Sequence, residues 1–464
     1  MSVSTLDETL GASARGSALQ EVAARIREHG VRHVYLQYTA VPGRVMGKVV
    51  PSAHFERIAE NGLPWTYLSA GGFTVDVNGN VLGPSPAACA EGLLVPDLDT
   101  FRLLPWDTEV ARVFCDHFHG PDDPERPGAV AEGDSRANLK RVHAEFEDEL
   151  GLALRSGCEP EMSWFPDADS ITASISKLPA HVGTPYHIGH IEEIRPILKR
   201  VTRYGQEMGL DMIQADYEDP GQVEMNFLFG PCVETADRLT TFRQICMQVA
   251  KEFGVLATFM PKPVPGIMAN GCHHHLSLWQ GDEPAFANPD GRSLNDVGRW
   301  AIGGILGHSR GMTAVVAPTA NSYARYWDVG QFAPSVPVWG YDHRQCIVRV
   351  LGPRIELRAP DACCNPYLTH AVMLAAMRDG IDNRIDPGDP HVEDDFPDPE
   401  QARFGLLPRT LGEALDALHE DEVVRGALPG ELYDTFVAIK RDEWQRACGA
   451  VTEWDRDTYL TYLP

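Results

Sequence analysis

Four short, well-separated stretches hold the groups best suited to binding ions and anions. In CEPEMSWF, Glu159 and Glu161 stand two residues apart. On a strand both would face the same side, and two carboxylates there repel unless a cation or a proton sits between them. A solvated acidic strand has the same look. In DYEDPGQVEMNF, Glu218 and Glu224 flank a Pro-Gly turn that can fold both carboxylates onto one point, although an acidic surface loop reads alike. In NGCHHHLSLW, His273 and His275 share one strand face, continued by Ser277, while His274 points the other way. That spacing suits metal or phosphate contacts, or a partly buried histidine strand. In RIELRAPD, Arg354, Glu356 and Arg358 alternate onto one face. They form either a row of ion pairs or a metal ligand between two anion-binding arginines.

Together these stretches offer five carboxylates and a histidine to one cleft. Oxygen-rich ligation of that kind favours Mg²⁺ or Mn²⁺ over zinc. Hard divalent ions beside arginines suit phosphoryl transfer, where positioning and charge neutralisation supply most of the catalysis. The sequence has no GxxxxGK[ST] phosphate loop and no kinase motif set, so a nucleotide site here must be of another type.

The elements that would position these groups can be read from periodicity. Residues 17–30 read as a helix with Leu19, Val22 and Ile26 on one face, Ser17 as cap and Gly30 as stop. VRHVYLQYT and GRVMGKVVP follow as a hairpin across a Pro-Gly turn, and short β-like runs continue to about Cys115. Residues 116–134 are rich in Pro, Gly and Asp and mark a linker. Ser135 then opens a helix with Leu139, Val142, Phe146 and Leu150 on one face. A further helix is expected over 234–253, with Leu239, Phe242, Ile245, Val249 and Phe253 as its stripe, and helices return near the C-terminus. The organisation is an α+β unit over 17–115, the linker, and a larger unit over 135–464.

The chain has 464 residues, 43% of them hydrophobic, enough for a sizeable core. With 66 acidic against 40 basic residues its net charge is -26, which sets nucleic acid and anionic membranes aside as partners. The N-terminus lacks a signal-peptide pattern, and no stretch approaches about 20 continuous apolar residues. Ten scattered cysteines, with no CxxC pair and with Cys363 and Cys364 adjacent, suggest reduced thiols and a cytoplasmic protein.

The ordered set E-P-E, E-D-P-G-Q-x-E, A-T-F-M-P-K-P, H-x-H-x-S-L-W, N-S-Y-x-R and R-I-E-L-R-x-P-D-x-x-x-N-P-Y-L resembles the glutamine synthetase superfamily, from about residue 20 to the C-terminus. The Y-E-D opening of the second motif is more like the γ-glutamyl-amide synthetase branches than the housekeeping enzyme. The resemblance implies an N-terminal β-grasp domain and a catalytic domain built as a curved antiparallel sheet, a funnel backed by helices. It implies a homo-oligomer, a dodecamer of two stacked hexamer rings with each active site between neighbouring subunits. It also implies ATP and L-glutamate as substrates with two Mg²⁺ or Mn²⁺ per site. Glu161, Glu218 and Glu224 would bind one metal, and Glu159, His273 and Glu356 the other. His275 and Ser277 would contact ATP, with Arg344 and Arg354 facing its phosphates. Arg325 would hold the α-carboxylate of glutamate and Arg358 the γ-carboxylate. Arg349 is a supporting candidate, or merely structural. Arg325, Arg344 and Arg358 would be the catalytic arginines.

Two departures bear on the acceptor. Family members that use ammonia carry an Asp-Gly-Ser-Ser stretch whose Asp helps bind ammonium, and a flap Glu before Ala-Pro. Here LSAGGF places Ser69 at or near the Asp, and YWDVGQFAPSVPVW places Phe332 at the Glu. A small cation would lose its counter-charges, while a larger amine would gain apolar contact. Trp327, Tyr326 and Trp65 are further aromatic candidates, and Asp328 is the one acidic candidate for a polyamine. The expected acceptor is therefore a primary organic amine, with ammonia and a non-catalytic ring protein as alternatives. The Glu218-to-Glu224 spacing is one residue short of the family pattern, so Asp216 competes with Glu218 as the ligand.

Overall fold

The Pro42-Gly43 turn folds the chain back on itself. Gly43 has φ +84°, a conformation glycine adopts without strain, and it joins β1 (His33–Thr39) to β2 (Val45–Pro51) as an antiparallel hairpin. The computed structural model describes residues 5–83, 91–171, 175–176, 185–286, 288, 290–328, 333–393 and 397–461. Strands β3 (Leu63–Thr66), β4 (Glu91–Pro96), β5 (Arg102–Leu104) and β6 (Asp107–Phe118) complete a first sheet of order β2-β1-β6-β4-β3, with β5 on β6. β1 and β6 run parallel, and the other pairs are antiparallel. Val34, Leu36, Ala111 and Val113 point into a core shared with Val22 of the helix Ser13–Glu28.

That helix begins four residues earlier than the sequence suggests. Ser17 lies inside it, its hydroxyl donating to the Ala14 carbonyl at 2.8 Å, and caps nothing. Gly30, at φ +66°, follows the helix end as expected.

The second sheet comprises β7 (Ala153–Phe165), β8 (Met212–Asp219), β9 (Gln222–Phe227), β10 (Gly230–Pro231), β11 (Leu256–Thr258), β12 (Cys272–Gln280), β13 (Glu283–Pro284), β14 (Trp339–Tyr341), β15 (Val348–Leu351) and β16 (Arg354–Leu357). Its order is β14-β15-β16-β12-β7-β9-β8, with β10 and β11 also on β7 and β13 on β12. It is antiparallel apart from the β14–β15 pair, which is parallel. The helices Ser135–Leu150, Cys232–Phe253 and Pro366–Asp382 pack behind it. On Cys232–Phe253 the stripe Leu239, Phe242, Ile245 and Val249 is buried, whereas Phe253, in the last turn, is exposed.

Residues 119–134 are tied down. The His119 N–H donates to Ala129 O at 2.7 Å and the Ala131 N–H to His117 O at 2.9 Å. Asp134 caps the helix Ser135–Leu150 by accepting from the Arg136 and Ala137 N–H groups. The buried Arg136 guanidinium then binds Asp97 and Asp116 of the first sheet's side at 2.8 Å and Asp237 of the second's at 2.9 Å. Three carboxylates around one buried cation leave its charge compensated and lock the two sheets together. No described helix is long and apolar enough to cross a membrane, and the nine described cysteines form no disulfide.

Candidate active site

The strand alternation places Glu159 and Glu161 of β7, Glu224 of β9 and His273 of β12 around one cavity of about 420 Å³. Register explains the convergence: His273 lies opposite Glu159, and Glu161 opposite Glu224. Glu218 and Asp216, from β8, line the same cavity. Glu159, His273 and Glu356 each offer a ligand atom within 4.8 Å of the other two. His273 Nδ1 is 3.2 Å from Glu159 and 3.4 Å from Glu356, and its Nε2 is 3.8 Å from Glu161.

Electrostatics divide these carboxylates. Burial would raise Glu159, but hydrogen bonds from His273 and His275 outweigh it and hold the group below the usual range. Glu356, fully buried, is likewise held down: burial pushes it up, and His273 and Arg358 pull it lower. Glu224 is pushed well up by burial and by the Glu159 and Glu161 charges. Burial, then Glu161 and Asp216, push Glu218 up to about 7. Acids crowded so tightly that two of them are pushed up provide what a divalent cation would neutralise.

Arginines supply the opposite charge. Arg325, Arg344, Arg349 and Arg358 all line the cavity. Arg325 is 2% exposed and donates to Ala359 O at 2.8 Å and to Arg358 O at 2.9 Å. Glu356 does not reach the lining; it is sealed between Arg358, which hydrogen-bonds its Oε1, and Arg349, 3.1 Å from its Oε2. Arg349 thus positions Glu356 and faces the cavity at once.

Other expected residues fall outside the lining. His275 bonds Glu159 at 2.7 Å and accepts from Arg354 at 3.2 Å, so both stand at the rim. Arg354, the first residue of β16, is exposed, whereas Glu356 two residues on is buried. Ser277 accepts the Trp279 indole N–H at 2.8 Å. Trp65 lies on β3 of the first sheet, and Ser69 on the short 3₁₀ turn Tyr67–Gly71 that follows it. Ser69 is buried, donating to Thr66 O, and Trp65 stacks on His117 with centroids 3.9 Å apart. Among the described residues, none that lines the cavity comes from that sheet. Trp327 packs under Arg409, Tyr326 is buried against Ala359 O, and Asp328 pairs with Lys262 at 2.9 Å. Phe332 lies outside the described residues.

Three contributors went unnoticed in the sequence. Gln222 donates to Glu161 at 2.9 Å and the Gly271 N–H donates to the same carboxylate at 2.7 Å, fixing its orientation. Gln222 sits inside the quoted E-D-P-G-Q-x-E run, which was its signal. Tyr186, at φ +62°, also lines the cavity, and nothing in its sequence neighbourhood marks it.

Comparison with known proteins agrees with this geometry. Residues 132–459 match the family model described as glutamine synthetase, catalytic domain. The glutamate–methylamine ligase of Methyloversatilis universalis is 31% identical over 94% of this chain and 98% of its own length. The glutamine synthetase of Methanocaldococcus jannaschii is 36% identical over 80% of this chain and 83% of its own. Among solved structures, a GmaS/ADP complex superposes with a TM-score of 0.84 at 31% identity, covering 95% of this chain and 99% of that one. Ligand-free GmaS gives a TM-score of 0.83 at 32% identity, with the same coverage. The chain belongs to the glutamine synthetase catalytic-domain family.

Proposed function

We propose that this protein is an ATP-dependent ligase that joins the γ-carboxylate of L-glutamate to a primary organic amine. The observation that carries this reading is the trio Glu159, His273 and Glu356, with ligand atoms within 4.8 Å of one another, beside a cavity that four arginines line. Hard-ion ligands next to anion-binding guanidiniums suit the transfer of a phosphoryl group.

The donor set fits a pair of Mg²⁺ or Mn²⁺ ions, with Glu161, Glu218 and Glu224 to hold one and Glu159, His273 and Glu356 the other. When bound, such ions neutralise charge on the transferring phosphoryl oxygens. Arg325 holds the α-carboxylate of glutamate and Arg358 its γ-carboxylate. A γ-carboxylate oxygen attacks the terminal phosphorus of ATP, ADP leaves, and a γ-glutamyl phosphate forms. Arg344 and Arg358 oppose the negative charge of that phosphate. The amine nitrogen, shed of its proton, then attacks the acyl carbon and expels phosphate. His275, Ser277 and Arg354, at or beyond the rim, are assigned to the nucleotide.

The acceptor assignment rests on Ser69 and Phe332 standing where ammonia-using relatives carry acids, and the methylamine-ligase relative supports it. Ammonia is the second reading, favoured by the similarity to the M. jannaschii glutamine synthetase. A non-catalytic ring protein is disfavoured, because all six ligand positions are filled. We further propose a division near 116–134, with a β-grasp unit before it. The chain would assemble as two stacked hexamer rings in a reducing, cytoplasmic setting. Among the described residues the cavity is lined from the second unit alone, which supports a site completed by a neighbouring copy. A phosphate-release screen with glutamate, ATP and Mg²⁺ over a panel of amines, with product mass, tests the reading. Ammonium as the best acceptor would refute the amine assignment, and no glutamate-dependent release with any acceptor would refute the ligase.

A further inference from the structure

The two faces of β7 and β12 carry different chemistry. Glu159 and His273 look into the cavity. Their chain neighbours Cys158 and His274 point to the other side, toward His370 on the helix Pro366–Asp382. His274 lies opposite Cys158 in the ladder, and its ring meets that of His370 edge-on, with centroids 4.9 Å apart. All three residues are buried, and one ligand atom from each lies within 4.8 Å of the other two.

Carbonyl partners fix both tautomers. His274 Nδ1 is 2.7 Å from Cys272 O, and His370 Nδ1 is 2.6 Å from Pro366 O. A carbonyl only accepts, so each Nδ1 carries the proton and each Nε2 presents a lone pair. Metal-binding imidazoles are held in this way by their outer partners. His370 Nε2 takes the Ser156 hydroxyl at 2.8 Å. His274 Nε2 has no hydrogen-bond partner among the described residues, although it is fully buried. An orphaned buried acceptor is costly, and a bound cation would satisfy it.

We propose that Cys158, His274 and His370 form a second metal site behind the sheet, for a thiophilic closed-shell ion of the Zn²⁺ or Cu⁺ type. One sulfur and two imidazole nitrogens exclude Mg²⁺ by softness. Binding turns the Cys158 thiol into a thiolate, its proton passing to solvent, with no change of oxidation state. Cu⁺ with one thiolate is neutral, which suits a buried position. Zn²⁺ reaches neutrality with a second thiolate from Cys272, which together with Cys364 also groups with His274 inside 4.8 Å. Ser156 Oγ, now on His370, either swings aside or becomes a further ligand. The ion would bolt β7, β12 and the helix Pro366–Asp382 together directly behind Glu159 and His273.

The full-length protein is to be produced in zinc- and in copper-supplemented medium, dialysed against EDTA and excess Mg²⁺, and its metal content measured. A stoichiometric ion that survives dialysis is expected; which medium supplies it identifies the metal. Cys158→Ser and His370→Asn should lose it, and Glu224→Gln, in the cavity, should keep it. Should those two variants fail to fold, the wild type refolded with Co²⁺ should show a thiolate-to-cobalt charge-transfer band. The proposal falls if the wild type holds neither metal and shows no such band. It also falls if folded Cys158→Ser and His370→Asn retain the ion, or if Glu224→Gln loses it. Ligase activity with Mg²⁺, assayed separately, leaves the catalytic reading independent of this outcome.

Discussion

Asp216, and not Glu218, faces Glu224 across the β8–β9 ladder. Glu218 sits in the irregularity between Tyr217 and Asp219, where β8 carries a residue its partner does not match. Such a bulge re-aims a side chain, and here it brings a second carboxylate to the cavity, which Asp216 also lines. Asp216 is hydrogen-bonded by Gln214, whereas Glu218 is half-buried among Glu161, Asp216 and Glu159, which together with burial push it up. Glu218 is therefore the expected ligand. Glu218→Gln should raise the Mg²⁺ needed for half-maximal activity at least about 10-fold, the scale that even outer-shell changes reach. Asp216→Asn should raise it less than about 5-fold, as befits a charge contact worth under about 1 kcal/mol. Activity titrated with Mg²⁺ checks this, and the reverse order would hand the role to Asp216.

Arg325 is held by two carbonyls and still reaches the cavity. Lysine at this position keeps a charge but loses the planar fork that matches a carboxylate. A hydrogen bond to a charged group is worth about 2 kcal/mol, which is roughly 30-fold in affinity. Arg325→Lys should therefore raise the KM for glutamate by about that factor while the KM for ATP stays nearly constant. Equal rises in both, in steady-state kinetics, would reduce Arg325 to a structural residue.

The faces of the site were legible in the sequence because strand alternation is local. Glu159 with Glu161, and His273 with His274 reversed, follow from a period of two. What joins those faces is not local. Placing β12 between β7 and β16 decides that His275 meets Glu159 and Arg354 at the rim, and no spacing encodes that order. Trp65 reads from the sequence as an aromatic candidate for the amine, but its ring stacks inside the first sheet on His117, about 50 residues away in the chain. The early start of the helix Ser13–Glu28 was hidden for a different reason: an Ala, Arg and Ser run permits a helix without announcing its first turn.

Gly271 marks the tightest approach in the site. A Cβ there would stand 2.9 Å from Arg325 Nη2, 3.1 Å from His273 Nε2 and 3.3 Å from Glu161 Oε1. Arg325 would have to shift, and His273 and Glu161 to give by a few tenths of an ångström; displacements near 1 Å can cost about 100-fold in rate, so these smaller ones should cost on the order of 10-fold. Gly271→Ala should lower kcat by about that much with little change in melting temperature. Calorimetry beside turnover separates the two, and a variant as active as the wild type would mean that the three groups can move without penalty.

His308 ties four helices together, two of them through its ring nitrogens. Nδ1 lies 2.9 Å from Asp421, which caps Glu422–Gly426, and Nε2 lies 3.0 Å from Asp379 of Pro366–Asp382. His308 itself stands between Asp296–Gly307 and Ser309–Val316. With acceptors on both sides only the imidazolium satisfies the pair. Burial lowers the group, but the Asp421 and Asp379 hydrogen bonds outweigh it and raise it above its ordinary 6.5. A raised folded-state value means that the native state binds the proton more tightly than the unfolded chain. The stabilisation is then complete below about pH 6.5 and is lost as pH rises through the folded value. The melting temperature should fall on the alkaline side of about pH 6.5, and His308→Asn should flatten that part of the curve. Thermal unfolding across this range, with wild type and variant in the same buffers, checks it. Parallel curves would show that the imidazole stays neutral between its two carboxylates.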